Sequence, residues 1–242
     1  VRGGSRLENQ KGRIFCRPQT MIMETTVNTD LVIFDLDGTL LDTLPDLVEL
    51  TNAALGEQGF PSRTRDEIHS FVGAGAQALI RLAVPSSATP EQADATMRRW
   101  KELYPIIGNK LTKPYPHMQE TLQELKRRGM KLAVLSNKPH ADTVHVVAHY
   151  FPDVVFDQVR GQQEGIPVKP DPTGALAVAQ AMGVSPEHFV YLGDTSVDMC
   201  CARRAGMHPV GVLWGFRKEA ELRESGAEAV LHHPMELMDL LK

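Results

Sequence analysis

Four apolar residues in succession, Leu31-Val32-Ile33-Phe34, break off at Asp35. A short uninterrupted apolar run of this kind predicts a strand buried on both faces. Beyond Thr43 the period becomes helical: Pro45 suits a first turn, and Leu47, Leu50, Ala54 and Leu55 follow on one face. Gly59-Phe60-Pro61 ends that helix, and Thr64 with Glu67 has the spacing of a capping box that opens a short helix through Phe71. Gly73-Ala74-Gly75 interrupts, Ala78, Leu79, Leu82 and Ala83 resume the helical period, and Thr89-Pro90-Glu91 starts a helix to about Tyr104. Residues 45–112 therefore read as all-helical, and Pro114-Tyr115-Pro116 marks the return to a different pattern.

From 117 onward short apolar runs alternate with helical periods. Helices are predicted over 117–128, 140–150, 172–182, 198–205 and 235–241, with Gly129, Gly183 and Gly206 placed to end three of them. Strands are predicted over 131–135, 154–156, 189–192, 210–213 and, more weakly, 229–231. This alternation implies an α/β fold with a doubly wound parallel sheet covered on both faces. The helical block inserted after the first strand then lies over the strand tips as a cap. No internal repeat or low-complexity tract is present.

The 242 residues suit one core domain with a smaller appendage, and 42% hydrophobic with 23% charged residues is ordinary for a globular chain. A net charge of −4 argues against nucleic acid or an anionic membrane as the main partner, so an anionic substrate needs a local positive site. Cys16, Cys200 and Cys201 are odd in number and lack CxxC spacing, which points to a reducing, cytoplasmic compartment rather than a disulfide framework. No apolar run reaches transmembrane length. Residues 1–29 carry Arg2, Arg6, Lys11, Arg13 and Arg17 against the single acid Glu8 before residue 21, with no apolar signal region. They are expected to be a disordered tail, an expression remnant or mistranslated upstream sequence with the true start at Met21 or Met23; an organellar transit peptide is the alternative.

The chemistry is concentrated at strand tips. Asp35 and Asp37 end the first strand and precede Gly38, where backbone N–H groups can close on an anion. Ser136-Asn137-Lys138-Pro139 follows the strand over 131–135, Lys169-Pro170-Asp171-Pro172 lies in a long loop, and Gly193-Asp194-Thr195-Ser196-Val197-Asp198 follows the strand over 189–192. In open α/β sheets the carboxyl ends of strands are where ligands bind.

These four sets, in this order, resemble the four motifs of the haloacid dehalogenase (HAD) superfamily, in its phosphatase form because Asp37 is present. The resemblance implies a Rossmann-like core over 30–43 and 114–242 and a small helical cap of the C1 type over 44–113. It implies a Mg²⁺-dependent phosphomonoester hydrolase with an aspartyl-phosphate intermediate. Asp35 is then the nucleophile, Asp37 the general acid and base, and Lys169 the cation that neutralises phosphoryl charge. Gly38, Ser136, Asn137 and Lys169 hold the phosphoryl group. The implied metal ligands are the Asp35 and Asp194 side chains and the Asp37 main-chain carbonyl, with Asp198 acting through water or through hydrogen bonds behind them. The physical logic agrees: two carboxylates about 4 Å apart repel by roughly 4 kcal/mol at an effective dielectric near 20. A single lysine cannot offset several such pairs, and a divalent cation can.

Phe71-Val72-Gly73-Ala74-Gly75, Pro114-Tyr115-Pro116, Ser136-Asn137-Lys138-Pro139 and residues 212–217 are similar to the phosphoglycolate phosphatases within that superfamily. That subgroup usually has glycine after Pro-Tyr-Pro, where this chain has His117. Pyrophosphate, sugar phosphates or nucleotides are alternative substrates for the same four motifs, and a β-phosphoglucomutase-like phosphoryl transferase shares the first motif and cap. A phosphonoacetaldehyde hydrolase is disfavoured because no lysine precedes Lys101 in the cap. A HAD-fold binding or regulatory protein without activity is the non-enzyme alternative. The expected partner is a small phosphorylated metabolite, with the chain a monomer or homodimer.

Each candidate also has a plainer reading. Asp37-Gly38 can be a turn, Asp42 a helix cap, Ser136 a cap-like residue, Lys169 a solvated lysine, and Asp194 and Asp198 helix-start acids. His145 and His149 have metal-ligand spacing but no HExxH glutamate, so a helix surface is expected. His140 reads as a helix start, Cys200 and Cys201 as small residues packed on the sheet, and Gly73, Ala74 and Gly75 as a break that in cap-bearing relatives descends towards substrate.

Overall fold

The computed structural model describes residue 29 and residues 31–241. Cys16 and the basic stretch of the tail lie outside the described residues. In chain order the elements are β1 (Leu31–Phe34), β2 (Leu41–Asp42), α1 (Leu44–Glu57), α2 (Arg65–Phe71), α3 (Ala76–Ala83) and α4 (Pro90–Ile107). β3 (Lys113–Pro114), α5 (Met118–Arg127), β4 (Lys131–Pro139), α6 (His140–Tyr150), β5 (Gln158–Gln162) and α7 (Thr173–Met182) follow. β6 (Phe189–Gly193), α8 (Ser196–Ala205), β7 (His208–Val212), α9 (Glu219–Glu224), β8 (Ala229–Leu231) and α10 (Leu237–Leu240) complete the chain.

β1 is central because it is buried on both faces. The six-stranded sheet runs β5-β4-β1-β6-β7-β8, all parallel. Val32 and Phe34 point into one core with Met118, Leu122, Val146 and Leu237. Leu31 and Ile33 point into the other with Ala175, Val178, Cys201 and Ala202. The alternation of one four-residue strand thus divides the helices between two faces, as the pleat requires.

The helices α1 to α4 close a third core of their own, built on Leu47, Leu50, Ile68, Ile80 and Trp100. Capping boxes at Thr64 and Thr89 start α2 and α4 as their spacing predicts. The chain enters and leaves this helical unit through an antiparallel pair, Leu41↔Pro114 and Asp42↔Lys113. Asp46, 1% exposed, ties the exit to the entrance by accepting from the backbone N–H of Lys110, Leu111 and Thr112.

Three details differ from the sequence reading. Residues 154–156 form no strand: Val154 turns inward, Val155 is 73% exposed, and the strand is the polar β5, which starts two residues after Phe156. β5 is an edge strand paired only with β4, so it needs no continuous apolar run. α8 starts at Ser196, two residues early, because its capping box uses Thr195 and Asp198. The predicted helix over 235–241 is a 3₁₀ turn, Pro234–Glu236, followed by the single turn of α10.

Candidate active site

The tips of β1, β4 and β6 lie side by side because those strands are neighbours in the sheet. β1 delivers Asp35, whose backbone N–H donates to Leu192 O at 2.9 Å, so the tip is pinned to β6. β6 runs into Asp194, and α8 supplies Asp198 from its first turn. Carboxylate oxygens of Asp35, Asp194 and Asp198 all lie within 4.8 Å of one another, in a buried position.

Lys169 sits among them. Its Nζ is 2.7 Å from Asp35 Oδ1 and 2.7 Å from Asp198 Oδ1, and it donates to Leu135 O at 3.1 Å. The side chain is 3% exposed, and burial alone would lower its pKa. Asp198 and Asp35 outweigh burial and hold the ammonium well above the usual lysine value.

The three acids divide by their partners. Asp198 spends Oδ1 on Lys169 and Oδ2 on the Thr195 N–H (3.1 Å) and hydroxyl (2.6 Å). Asp194 accepts from the Thr39 hydroxyl at 3.1 Å and the Phe216 N–H at 2.8 Å. Burial, then the carboxylates of Asp198 and Asp35, pushes its pKa well above the usual range. Burial and then Asp198 push Asp35 up to about 7 against the pull of Lys169. Two buried carboxyls so disfavoured as anions, with hard oxygen donors converging, fit a divalent cation. Asp198, already bonded through both oxygens, fits a role behind the ligands.

Gly38 has φ +90°, and a Cβ there would overlap Asp194 and the Phe216 ring. Only glycine lets the β1 loop pass this close to the acid. Asp37 is less buried, and its Oδ1 accepts from Lys138 Nζ at 3.3 Å. Ser136 Oγ accepts from the Lys138 N–H at 3.1 Å. The Asn137 side chain is committed within the protein: Oδ1 accepts from the Lys169 N–H, and Nδ2 donates to Lys169 O at 3.1 Å and Gly73 O at 3.2 Å. It therefore orders the lysine loop and draws the Gly73 segment to the site.

Gly73 (φ +132°) lies over Thr195 and Gly75 (φ +86°) over Asn137, so both glycines of the interruption between α2 and α3 reach the strand tips. Ala74, between them, is half-buried. The other candidates stand apart. His145 and His149 stack on each other in α6, and the only cluster of potential metal ligands among the described residues is the aspartate triad. His140 accepts from the Gly161 N–H at the start of α6. Cys200 and Cys201 are buried in α8, and burial pushes the Cys201 thiol up to about 12.

Sequence reasoning gave no role to Lys138, Thr39, Phe216 or Arg217. Arg217 donates to His69 O (3.0 Å), Ser70 O (3.2 Å) and Val72 O (2.6 Å), all at the end of α2. Lys138 and Arg217 stood inside motif runs, which was the available signal. Their partners are about 100 or more residues away in sequence, so spacing could not reveal them.

The chain is similar to known proteins over most of its length. Residues 32–212 match the haloacid dehalogenase-like hydrolase family. A phosphoglycolate phosphatase of Vibrio vulnificus is 33% identical over 222 residues, covering 87% of this chain and 95% of that protein. One from Vibrio cholerae is 34% identical over 197 residues, covering 77% and 85%. The crystal structure of a predicted phosphoglycolate phosphatase from Haemophilus somnus superposes with a TM-score of 0.81 at 26% identity, covering 88% of this chain and 97% of that one. The chain belongs to the haloacid dehalogenase-like hydrolases.

Proposed function

We propose that this protein is a Mg²⁺-dependent phosphomonoester hydrolase acting on a small phosphorylated metabolite, 2-phosphoglycolate. One observation carries the reading: at the tip of β1, Asp35 is held 2.7 Å from Lys169 within the buried aspartate triad, with Asp37 two residues on. Relatives named phosphoglycolate phosphatase, matched over most of their length, support the substrate.

Asp35 attacks phosphorus in line; the bond to the ester oxygen breaks and an aspartyl-phosphate forms. Asp37 gives its proton to the departing oxygen, then takes one from the water that attacks phosphorus, releasing phosphate and restoring Asp35. Lys169 lies between Asp35 and Asp198, so its charge is fixed before the phosphoryl group gains negative charge in the transition state. The Ser136 hydroxyl donates to a phosphoryl oxygen, and Asn137 keeps Lys169 in place. Mg²⁺, held by the Asp35 and Asp194 side chains and the Asp37 carbonyl, would neutralise phosphoryl charge. The helical unit over 44–113 acts as a cap that closes the pocket against bulk water.

The test is phosphate release from 2-phosphoglycolate, pyrophosphate, hexose phosphates and nucleotides, with Mg²⁺ and with EDTA. Preference for phosphoglycolate, lost in EDTA and in Asp35→Asn, is expected. Preference for another ester would remove the substrate and leave the mechanism. Undiminished release by a folded Asp35→Asn protein would remove the mechanism.

A further inference from the structure

In-line attack by Asp35 sends the leaving oxygen away from the strand tips, towards the helical unit. There the structure has a cavity of about 50 Å³ between the tips and the helices α1, α3 and α4. Its helical wall is apolar, formed by Leu47, Val72, Leu79 and Trp100. Its floor holds Asp35, Asp37, Ser136 and Asn137. Lys138 is the one cation among the described residues that line it.

This lysine is buried at the edge of the cavity. Its side chain is 5% exposed, and burying an ammonium costs several kcal/mol unless it is well paired. Among the described residues its one ion-pair partner is Asp37, at 3.3 Å; the Tyr104 side chain of α4 hydrogen-bonds it, its Nζ lies 5.0 Å from that ring's centroid, and Asp142 feels its charge. An ammonium has three donors, and a cation over a ring leaves those that face the cavity for a ligand. Lys169 compensates Asp35 and Asp198, whereas Lys138 is shared between Asp37 and the cavity, where it is the cation a second anionic group would meet.

We infer that Lys138 is the specificity-determining residue: its ammonium binds a carboxylate on the leaving group, one or two carbons from the ester oxygen. The inference rests on the phosphatase reading and deepens it. Selection of the glycolate ester then comes from one buried cation facing an apolar helical wall, where a neutral leaving group gives that cation no further partner.

The experiment compares 2-phosphoglycolate, ethyl phosphate and phosphoethanolamine, which carry a negative, neutral and positive leaving group of similar size. For the wild-type protein the expected order of kcat/KM is phosphoglycolate, then ethyl phosphate, then phosphoethanolamine, with the first exceeding the second at least about tenfold. Lys138→Met should lower that ratio to near one, chiefly through KM for phosphoglycolate, and Lys138→Arg should retain part of it. A role only through Asp37 would slow all three esters equally and leave the ratio unchanged, which would overturn the inference. Equal use of the three esters by the wild type would also overturn it while leaving the phosphatase reading intact; the wild-type series decides this even if Lys138→Met fails to fold. No turnover of any ester would overturn the phosphatase reading as well.

Discussion

His117 occupies the left-handed region, φ +64°, as the residue before α5. That position is where similar phosphatases usually carry glycine, and the backbone explains the preference: a Cβ at positive φ costs about 1–2 kcal/mol. Histidine tolerates the region better than branched residues do, and its ring packs against His233 at 4.8 Å. His117→Gly should therefore match or exceed the wild type in stability, by up to about 1 kcal/mol, because backbone relief is offset by unfolded-state entropy and the lost ring contact. His117→Val should be destabilised by more than about 1 kcal/mol. Urea unfolding of the three proteins checks the order; a valine variant as stable as glycine would contradict it. At this scale the chain was legible where chemistry restricts the residue type. Asp35, Asp37, Lys169, Asp194 and Asp198 could be named because they stand in four short runs that resemble, in order, the HAD motifs. Lys138 and Arg217 escaped because their partners, Asp37 and the end of α2, come together only in the folded chain.

The loop between β7 and α9 joins the two parts of the site. Phe216 donates its N–H to Asp194, Trp214 donates to Thr39 O, and Arg217 spans three carbonyls at the end of α2. That end leads directly into Gly73, whose carbonyl meets Asn137. Arg217→Ala should therefore free the segment around 70–76. Loss of these three bonds, at roughly 0.5–1 kcal/mol each, predicts local opening about 10- to 100-fold more frequent. Hydrogen exchange should rise there while β1, β4 and β6 keep their protection, and kcat/KM should fall about tenfold. Unchanged exchange over 70–76 would mean the segment is held by Asn137 and Thr195 alone. The elements themselves followed from period and capping where they are long and one-sided, as in α1, α2 and α4. The two-residue pair β2–β3 is too short to carry a period, and β5 gave way to the apolar residues before it because an edge strand has only one neighbour to satisfy.

For the molecule as a whole, the acid cluster is a load on stability that a bound divalent cation would relieve. Asp35 keeps its proton in the folded protein to about pH 7, against an ordinary value of 3.8. Between those values the unfolded chain binds fewer protons than the folded one, so metal-free stability falls as pH rises through this window. Asp194, raised by the same burial and the same neighbours, extends the decline in the same direction. A divalent cation competes with these protons: it gains little at pH 5.5, where Asp35 is largely protonated, and most at pH 8. At about 100 times its dissociation constant it contributes about 2.7 kcal/mol, which for a chain of this length is a rise in Tm of roughly 5–10 °C. Melting in EDTA and in excess Mg²⁺ at the two pH values is the measurement. A Mg²⁺ shift at pH 8 several times that at pH 5.5, abolished by Asp194→Asn, is expected. Asp194→Asn should also melt higher than the wild type in EDTA at pH 8, because it removes one of the crowded charges while keeping the oxygen that accepts from Phe216. Equal Mg²⁺ shifts at both pH values would place the cation away from Asp35 and Asp194.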